Sequence, residues 1–350
     1  MLTRRTETIL KSIVEQYVTR AAPVPSQSII NKYELGVSAA TIRNEMAHLE
    51  QEGYITRPHP SAGSIPLDKG YRYYVESLSD IRLPLAEQRL ISHLFHQVER
   101  ELAEWLSLAS TVTAQLARNM AIVSMPKPAD CRFKYLELVA LQDLLALLVL
   151  ILHGAKIKQQ LINFDQAITQ PELTTIANKL NAAYSGLTRP QILAKELELT
   201  TNEQQVTDCL VKIMDAEDAQ EYEEPYLSGL HFMLSQPEFA HSQRMLALME
   251  LAEQRNLLRI VIPQGLSSRW VQVVIGKENK AEVIHDYSVV ISRYGLPDEA
   301  MGTIGVIGPT RMPYAHTITV VGYLSKVLSG LVTELYGRAT SSDPNLDNAD

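Results

Sequence analysis

Residues 38–53 read SAATIRNEMAHLEQEG, and how this stretch folds decides how the N-terminal part of the chain is read. Ser38 is an N-cap residue type, able to accept a hydrogen bond from a free amide of a first helical turn, and Gly53 ends the run. Between them Ile42, Met46 and Leu49 recur at i, i+4 and i+7, which is one apolar face at helical period. At about 100° per residue, the opposite face carries Ala40, Asn44, Ala47 and Gln51, flanked by Arg43 and His48. Alanines let a helix approach a surface closely. Asn and Arg can each place two hydrogen bonds on a base edge, Asn suiting adenine and Arg suiting guanine or phosphate. The stretch predicts a helix that buries one side and offers the other to a duplex groove.

Upstream, residues 3–20 place Ile9, Ile13, Val14 and Tyr17 on one stripe, and Pro23 and Pro25 end that helix. Residues 26–36, SQSIINKYELG, predict a second helix that starts at Ser26, buries Ile29, Ile30 and Tyr33, and stops at Gly36. The short turn before the third helix fits a helix-turn-helix. Downstream, YITRPHPSAGSIPLDKGYRYYV (residues 54–75) reads as two β edges, 54–57 and 71–75, around a Pro/Gly/Ser loop. That is a wing. Candidate DNA-binding residues are Ser38, Ala40, Thr41, Arg43 and Asn44 for the major groove, with Arg57, His59, Ser61, Lys69, Tyr71 and Arg72 holding backbone around the wing. A three-helix unit can equally bind protein; the basic hairpin is what favours DNA.

The charge distribution agrees. The chain of 350 residues is net −8, yet residues 1–75 hold nine Lys/Arg against seven Asp/Glu, so a mildly basic head sits on an acidic body. A hydrophobic fraction of 46% and a charged fraction of 21% are ordinary for a globular protein with two or three domains. Two cysteines, Cys131 and Cys209, make neither a disulfide framework nor a zinc site. The first residues lack a signal-peptide core, and the longest apolar run, LLALLVLIL (residues 144–152), falls well short of the roughly 20 residues of a bilayer span. The expectation is a cytoplasmic protein with no membrane partner.

In the body, residues 85–120 predict one long amphipathic helix with Leu90, Leu94, Val98, Leu102, Trp105, Ala109, Val112 and Leu116 as its stripe. His93 and His96 on it read as surface histidines rather than half a metal site. FKYLELVAL, LLALLVLILH and IKQQLINF have strand lengths, with Gly154 as a turn. Strands return with WVQVVIG, EVIHDYSVVISRYG and GTIGVIGPT, before a helix over about 313–336. Strands, a largely helical excursion, more strands and a closing helix suggest one antiparallel sheet domain interrupted by an insertion. Gly305 and Gly308, near Arg311, read as tight-turn glycines rather than a phosphate cradle. Glu223 and Glu224 read as a solvated loop, and no Ser-His-Asp, HExxH or paired-cysteine arrangement is visible, so neither catalysis, metal nor cofactor is expected.

VSAATIRNEMAHLEQEGYITRPHPSAG and IPLDKGYRYYV resemble the winged-helix head of the HrcA family, the heat-inducible transcription repressors of bacteria. LSGLHFMLSQPEF (residues 227–239), VVIGKEN (273–279) and GTIGVIGPTRMPYAHTITVVGYLSKVLSGLV (302–332) extend the resemblance in family order. It implies an α+β chain: a winged helix-turn-helix over 1–76, a linker over 77–84, a GAF-like antiparallel sheet domain in two parts (85–164 and 254–338), an inserted, helix-rich dimerisation domain over 165–253, and a disordered tail over 339–350. It also implies a homodimer on an inverted-repeat operator of the CIRCE type upstream of chaperone operons, kept competent by the GroE chaperonin. A small-molecule-responsive regulator, with the GAF-like domain as sensor, is the alternative. The chain departs from the family's wing at Pro60, Ser64 and Leu67; Ser64 stands where arginine is usual, which predicts weaker phosphate attraction.

Overall fold

The N-terminal apolar stripe forms α1 (Arg4–Arg20), capped by Thr3, whose Oγ1 accepts the Thr6 amide at 3.2 Å. Its buried side holds Ile9, Leu10, Ile13 and Val14. Next come α2 (Ser26–Lys32), with Ile29 fully buried, and α3 (Ala39–Gln51), which buries Ile42, Met46 and Leu49 as the periodicity requires. The computed structural model describes residues 2–32, 38–59, 62–98, 101–127, 131–153, 157–219, 225–239, 257–262, 271–296 and 300–335. The predicted turn before α3, Gly36, Gly154, the Glu223-Glu224 pair and the C-terminal tail lie outside them. A ribbon of β1 (Ile55–Thr56) and β2 (Ile65–Pro66) follows, antiparallel, and Val24 bridges Ser64 beside it.

Three expectations are corrected here. The second wing edge, residues 71–75, is not a strand but part of α4 (Asp68–Glu76). Tyr and Val are only moderate helix formers. Packing decides, because Tyr71 is carried into the core on the side that meets α1. The long helix over 85–120 is two helices, α5 (Leu85–Gln97) and α6 (Leu102–Ala117), with Val98 and Glu101 both extended. The buried positions keep one phase across the break, but the expected stripe is one residue out in the first half. α5 buries Ile91 and Phe95 and leaves Leu90 exposed, whereas α6 buries Trp105, Ala109 and Val112. After α6 the chain becomes β3 (Met120–Val123), which the sequence placed partly in the helix.

The third correction concerns the sheet. β4 (Phe133–Gln142), β5 (Leu145–Leu152) and β6 (Ile157–Asn163) are antiparallel as expected, but among the described residues they form a three-stranded sheet of their own. Their inward residues Phe133, Leu136, Leu148 and Leu150 pack with Leu173 and Leu180 of α7 (Gln170–Tyr184) and Val206 and Leu210 of α9 (Thr201–Ala219); α8 (Arg189–Leu193) completes the set. This compact unit comprises Pro126–Glu223 with Leu296–Met301. The excursion therefore begins near residue 126 rather than 165. It also ends earlier: residues 225–239 return to the first unit as β7 (Tyr226–Ser228) and a short helix, and residues 240–253 lie outside the described set.

The first unit comprises Met1–Met125, Glu224–Gly295 and Gly302–Asp350. Its five-stranded sheet runs β7-β3-β10-β9-β8, with β8 (Gln272–Ile275), β9 (Tyr287–Leu296) and β10 (Ala300–Pro309). Gly305 and Gly308 are not turn residues. Both sit within β10, where a Cβ at Gly308 would stand 2.5 Å from the buried Asn119 amide, so glycine serves close approach. The closing helix (Tyr314–Leu335) is long and apolar enough to cross a membrane by length and composition alone. Here Val320, Val321, Leu324, Leu328 and Val332 are its buried stripe, and it packs on α6.

Tyr314, at the start of that helix, is 1% exposed. Its hydroxyl donates to the Thr310 carbonyl oxygen at 2.7 Å and, its one proton being spent, accepts from Ser288 Oγ at 2.7 Å. Tyr314→Phe leaves both of those groups dry. We expect it to lower unfolding stability by about 1–3 kcal/mol, read as a reduced denaturant midpoint with unchanged slope.

Candidate nucleic-acid interface

α3 is held from behind. Glu45 accepts hydrogen bonds from Thr6 Oγ1 at 2.7 Å and Arg5 Nε at 3.0 Å, which fastens the helix to α1 on the side away from its open face. The sequence alone does not single out Glu45, since its partners lie some forty residues upstream. Ser38 is the N-cap predicted: its Oγ accepts the Thr41 amide at 3.2 Å and lies 3.0 Å from Thr41 Oγ1. The open face is the predicted stripe, with Ala40, Arg43, Asn44, Ala47, His48 and Gln51 all exposed and Thr41 half-buried. Among the described residues, neither Arg43 nor Asn44 has a side-chain partner. A helix fixed on three sides thus presents a bidentate cation and a carboxamide to water, neighboured by residues too small to obstruct an approaching surface.

Around the ribbon the outcome is mixed. Arg57 pairs with Glu50 at 3.0 Å, and His59 is exposed. Lys69 lies over the Tyr54 ring, 4.2 Å from its centroid, and donates to the Glu52 carbonyl oxygen at 2.7 Å while remaining exposed. Ser61 lies outside the described residues. Two candidates are corrected. Tyr71 is 2% exposed, its ring 5.8 Å from that of Tyr314, and burial pushes its hydroxyl well above the ordinary tyrosine range. It is a core residue. Arg72 turns inward from the ribbon: Nε donates to Glu278 Oε1 at 2.8 Å and Nη2 to the Val273 carbonyl oxygen at 2.7 Å. The hydrogen bond it donates to Glu278 holds the guanidinium yet more firmly protonated.

Ser64, at the position where a wing arginine is usual, lies beside the ribbon. Ser64 is 0% exposed, and its backbone exchanges two hydrogen bonds of 2.9 Å with Val24, so in this chain the side chain at that position faces the interior. Arg311 binds Gln236, Glu238 and the Val18 carbonyl oxygen. His93 meets Gln97 on its own helix.

Comparison with known proteins assigns a class to this arrangement. The family model for the HrcA protein C terminal domain matches residues 103–318. A heat-inducible transcription repressor HrcA from Dehalococcoides mccartyi (strain 195) is 56% identical over 338 residues, covering 97% of this chain and 98% of that protein. The one from Roseiflexus castenholzii is 42% identical, covering 96% of each. A crystal structure described only as a hypothetical protein superposes with a TM-score of 0.57 at 22% identity, over 95% of this chain and 98% of that chain, a likeness of fold alone. The relatives that match over nearly the full length are thus transcription repressors. The chain belongs to the HrcA family of heat-inducible transcription repressors.

Ser38→Ala removes the cap of α3. A loss of about 1 kcal/mol in stability is expected, together with faster amide exchange at Thr41 and its neighbours.

Proposed function

We propose that this chain represses chaperone operons by seating α3 in the major groove of an inverted-repeat operator of the CIRCE type, as a cytoplasmic homodimer. The observation that carries the reading is the water-facing stripe of Ala40, Arg43, Asn44 and Ala47 on a helix clamped from behind by Glu45. α1 to α3 and the β1–β2 ribbon act as a winged helix-turn-helix. Ser38, Thr41, Arg43 and Asn44 position and read the groove, and Arg57, His59, Ser61 and Lys69 hold backbone. Tyr71 and Arg72 drop out of the contact set because their side chains are committed elsewhere. The five-stranded sheet and closing helix serve as the GAF-like body. Repression of this kind blocks access to a promoter and needs no bond chemistry.

A two-fold operator calls for a two-fold protein. The surface we assign to pairing is the outer face of the β4–β6 sheet. Register places Tyr135, Ile151 and Ile157 in one cross-strand row and Val139, Leu147 and Leu161 in another, on the side opposite the packed helices. Ile157 is 61% exposed and Leu161 53%. Two such rows of apolar side chains facing water mark an interaction surface rather than a finished exterior, and a second copy supplies the matching surface. The dimerisation module is then residues 126–223. The GroE chaperonin, which the family resemblance implies as helper, suits a protomer that must keep this face from sticking elsewhere before it pairs.

Binding of the full-length protein to a duplex bearing the inverted repeat, against a scrambled duplex, tests the reading. Asn44→Ala is expected to cost about 1–3 kcal/mol on the cognate site and to relax preference at one base position; unchanged binding by Asn44→Ala and Arg43→Ala together would mean that another face meets DNA. Leu161→Lys places a charge within the proposed pairing surface. Sedimentation should show it shifted from dimer to monomer, with operator affinity falling alongside.

A further inference from the structure

Four of the sequence blocks that resemble the family lie away from the groove-facing stripe: residues 65–75, 227–239, 273–279 and 302–332. In the folded chain they meet one another. α4 contributes Asp68 and Arg72, one turn apart on the same face. Asp68 Oδ2 accepts the Lys277 amide at 3.0 Å, directly over Gly276. That glycine has φ +52°, which L side chains rarely adopt, and a Cβ there would stand 2.4 Å from the carboxylate, so a larger residue would push Asp68 from its seat. Arg72 grips Glu278 and the Val273 carbonyl oxygen, while the Ile275 amide, 2.8 Å from Glu278 Oε2, orients that carboxylate. Val273 belongs to β8, an outer strand of the sheet, so Arg72 also closes an edge carbonyl.

A second set of bonds uses a different helix of the head. Arg311 Nη1 donates to the carbonyl oxygen of Val18, near the end of α1, at 2.8 Å, and Nη2 donates to Gln236 Oε1 at 2.8 Å. Glu238 completes its shell. Between the two sets, Tyr71 packs on Tyr314. The covalent connection, residues 77–84, contains neither helix nor strand. Leu83 within it is buried in the same apolar cluster as Tyr71 and Tyr314.

We propose that Asp68, Arg72, Glu278 and Arg311 are positioning residues for operator recognition: they hold α3 at one orientation to the sheet body, and thereby set which half-site spacing a paired repressor accepts. The proposal rests on the duplex-reading function above. Two stiffly mounted heads engage the second half-site at high effective concentration only when the spacing matches; loosened heads lose that gain and accept any spacing. Arg72 is the sharpest case, because a cation beside the ribbon reads from sequence as a phosphate ligand and from structure as a mount.

The test uses the full-length protein, with chaperonin supplied in every arm. Three duplexes are compared: the CIRCE-type inverted repeat, the same repeat with its spacer changed by two base pairs (which turns one half-site by roughly 70°), and a single half-site. The wild type should prefer the natural spacing by about 100-fold. Glu278→Arg, which drives Arg72 off its seat, should lose about tenfold or more of that preference while half-site affinity stays within about twofold. Adding Arg72→Glu to that background re-forms the ion pair, though not the bonds to Val273 and Ile275, and should restore part of the spacing preference. If Arg72 gripped phosphate instead, the added change would weaken binding to all three duplexes further, and that outcome would overturn the proposal. Wild-type spacing preference in Glu278→Arg, or tighter binding to the natural operator, would overturn it as well. Should Glu278→Arg not fold, Glu278→Gln carries the same expectation at smaller size. Indifference of the wild type to palindromic against scrambled DNA would instead remove the duplex-reading function on which the mount depends.

Discussion

The tyrosine hydroxyl at position 314 is buried, and it is satisfied by Ser288 on one strand and Thr310 at the end of another. Burial raises its pKa far beyond any physiological pH, so it remains a neutral donor and the arrangement does not titrate away. The ring attached to that hydroxyl is the surface against which Tyr71 of the head packs. Sheet, closing helix and head are thus referred to one side chain. Their apolar residues form one continuous cluster, running from Ile9 and Ile42 through Tyr71 and Tyr314 to Leu328. Arg72 and Arg311 then supply directional bonds around this apolar junction, the former from head to body and the latter from body to head.

The parts legible in the sequence are those whose structure is local. α3 shows its two faces plainly because burial on one side and exposure on the other follow from period alone, and Ser38 caps it through a bond spanning three residues. The strands β4 to β6 are legible for the same reason. Their membership of a separate sheet is not, because pairing partners are chosen by long-range packing that length and composition do not encode. The break between α5 and α6 carries neither proline nor glycine in its described part, and the buried positions Ile91 and Phe95 stay in register with Trp105 and Ala109, so the apolar pattern runs through it without a signal.

The candidate site divides in the same way. Arg43 and Asn44 are readable because nothing else in the described chain competes for them. Tyr71 and Arg72 are misread because their partners, Tyr314 and Glu278, lie more than two hundred residues away. A tyrosine-rich, basic run after a Pro/Gly loop has strand character taken by itself, and only the docking of α4 on α1 and β8 shows it to be a helix. Gly308 is misread for a related cause: its smallness answers to Asn119 across the fold, not to the turn beside it.

The strand order carries one further consequence. β3 and β7 are adjacent rungs of the same ladder, Val123 facing Tyr226, although about a hundred residues separate them along the chain. In topological terms everything from 126 to 223 is the loop of an oversized hairpin. Its removal, with a short reverse turn in its place, would interrupt no strand of the five-membered sheet. The same geometry would let a protein engineer graft a different domain at that point without redesigning the sheet or the helices packed on it.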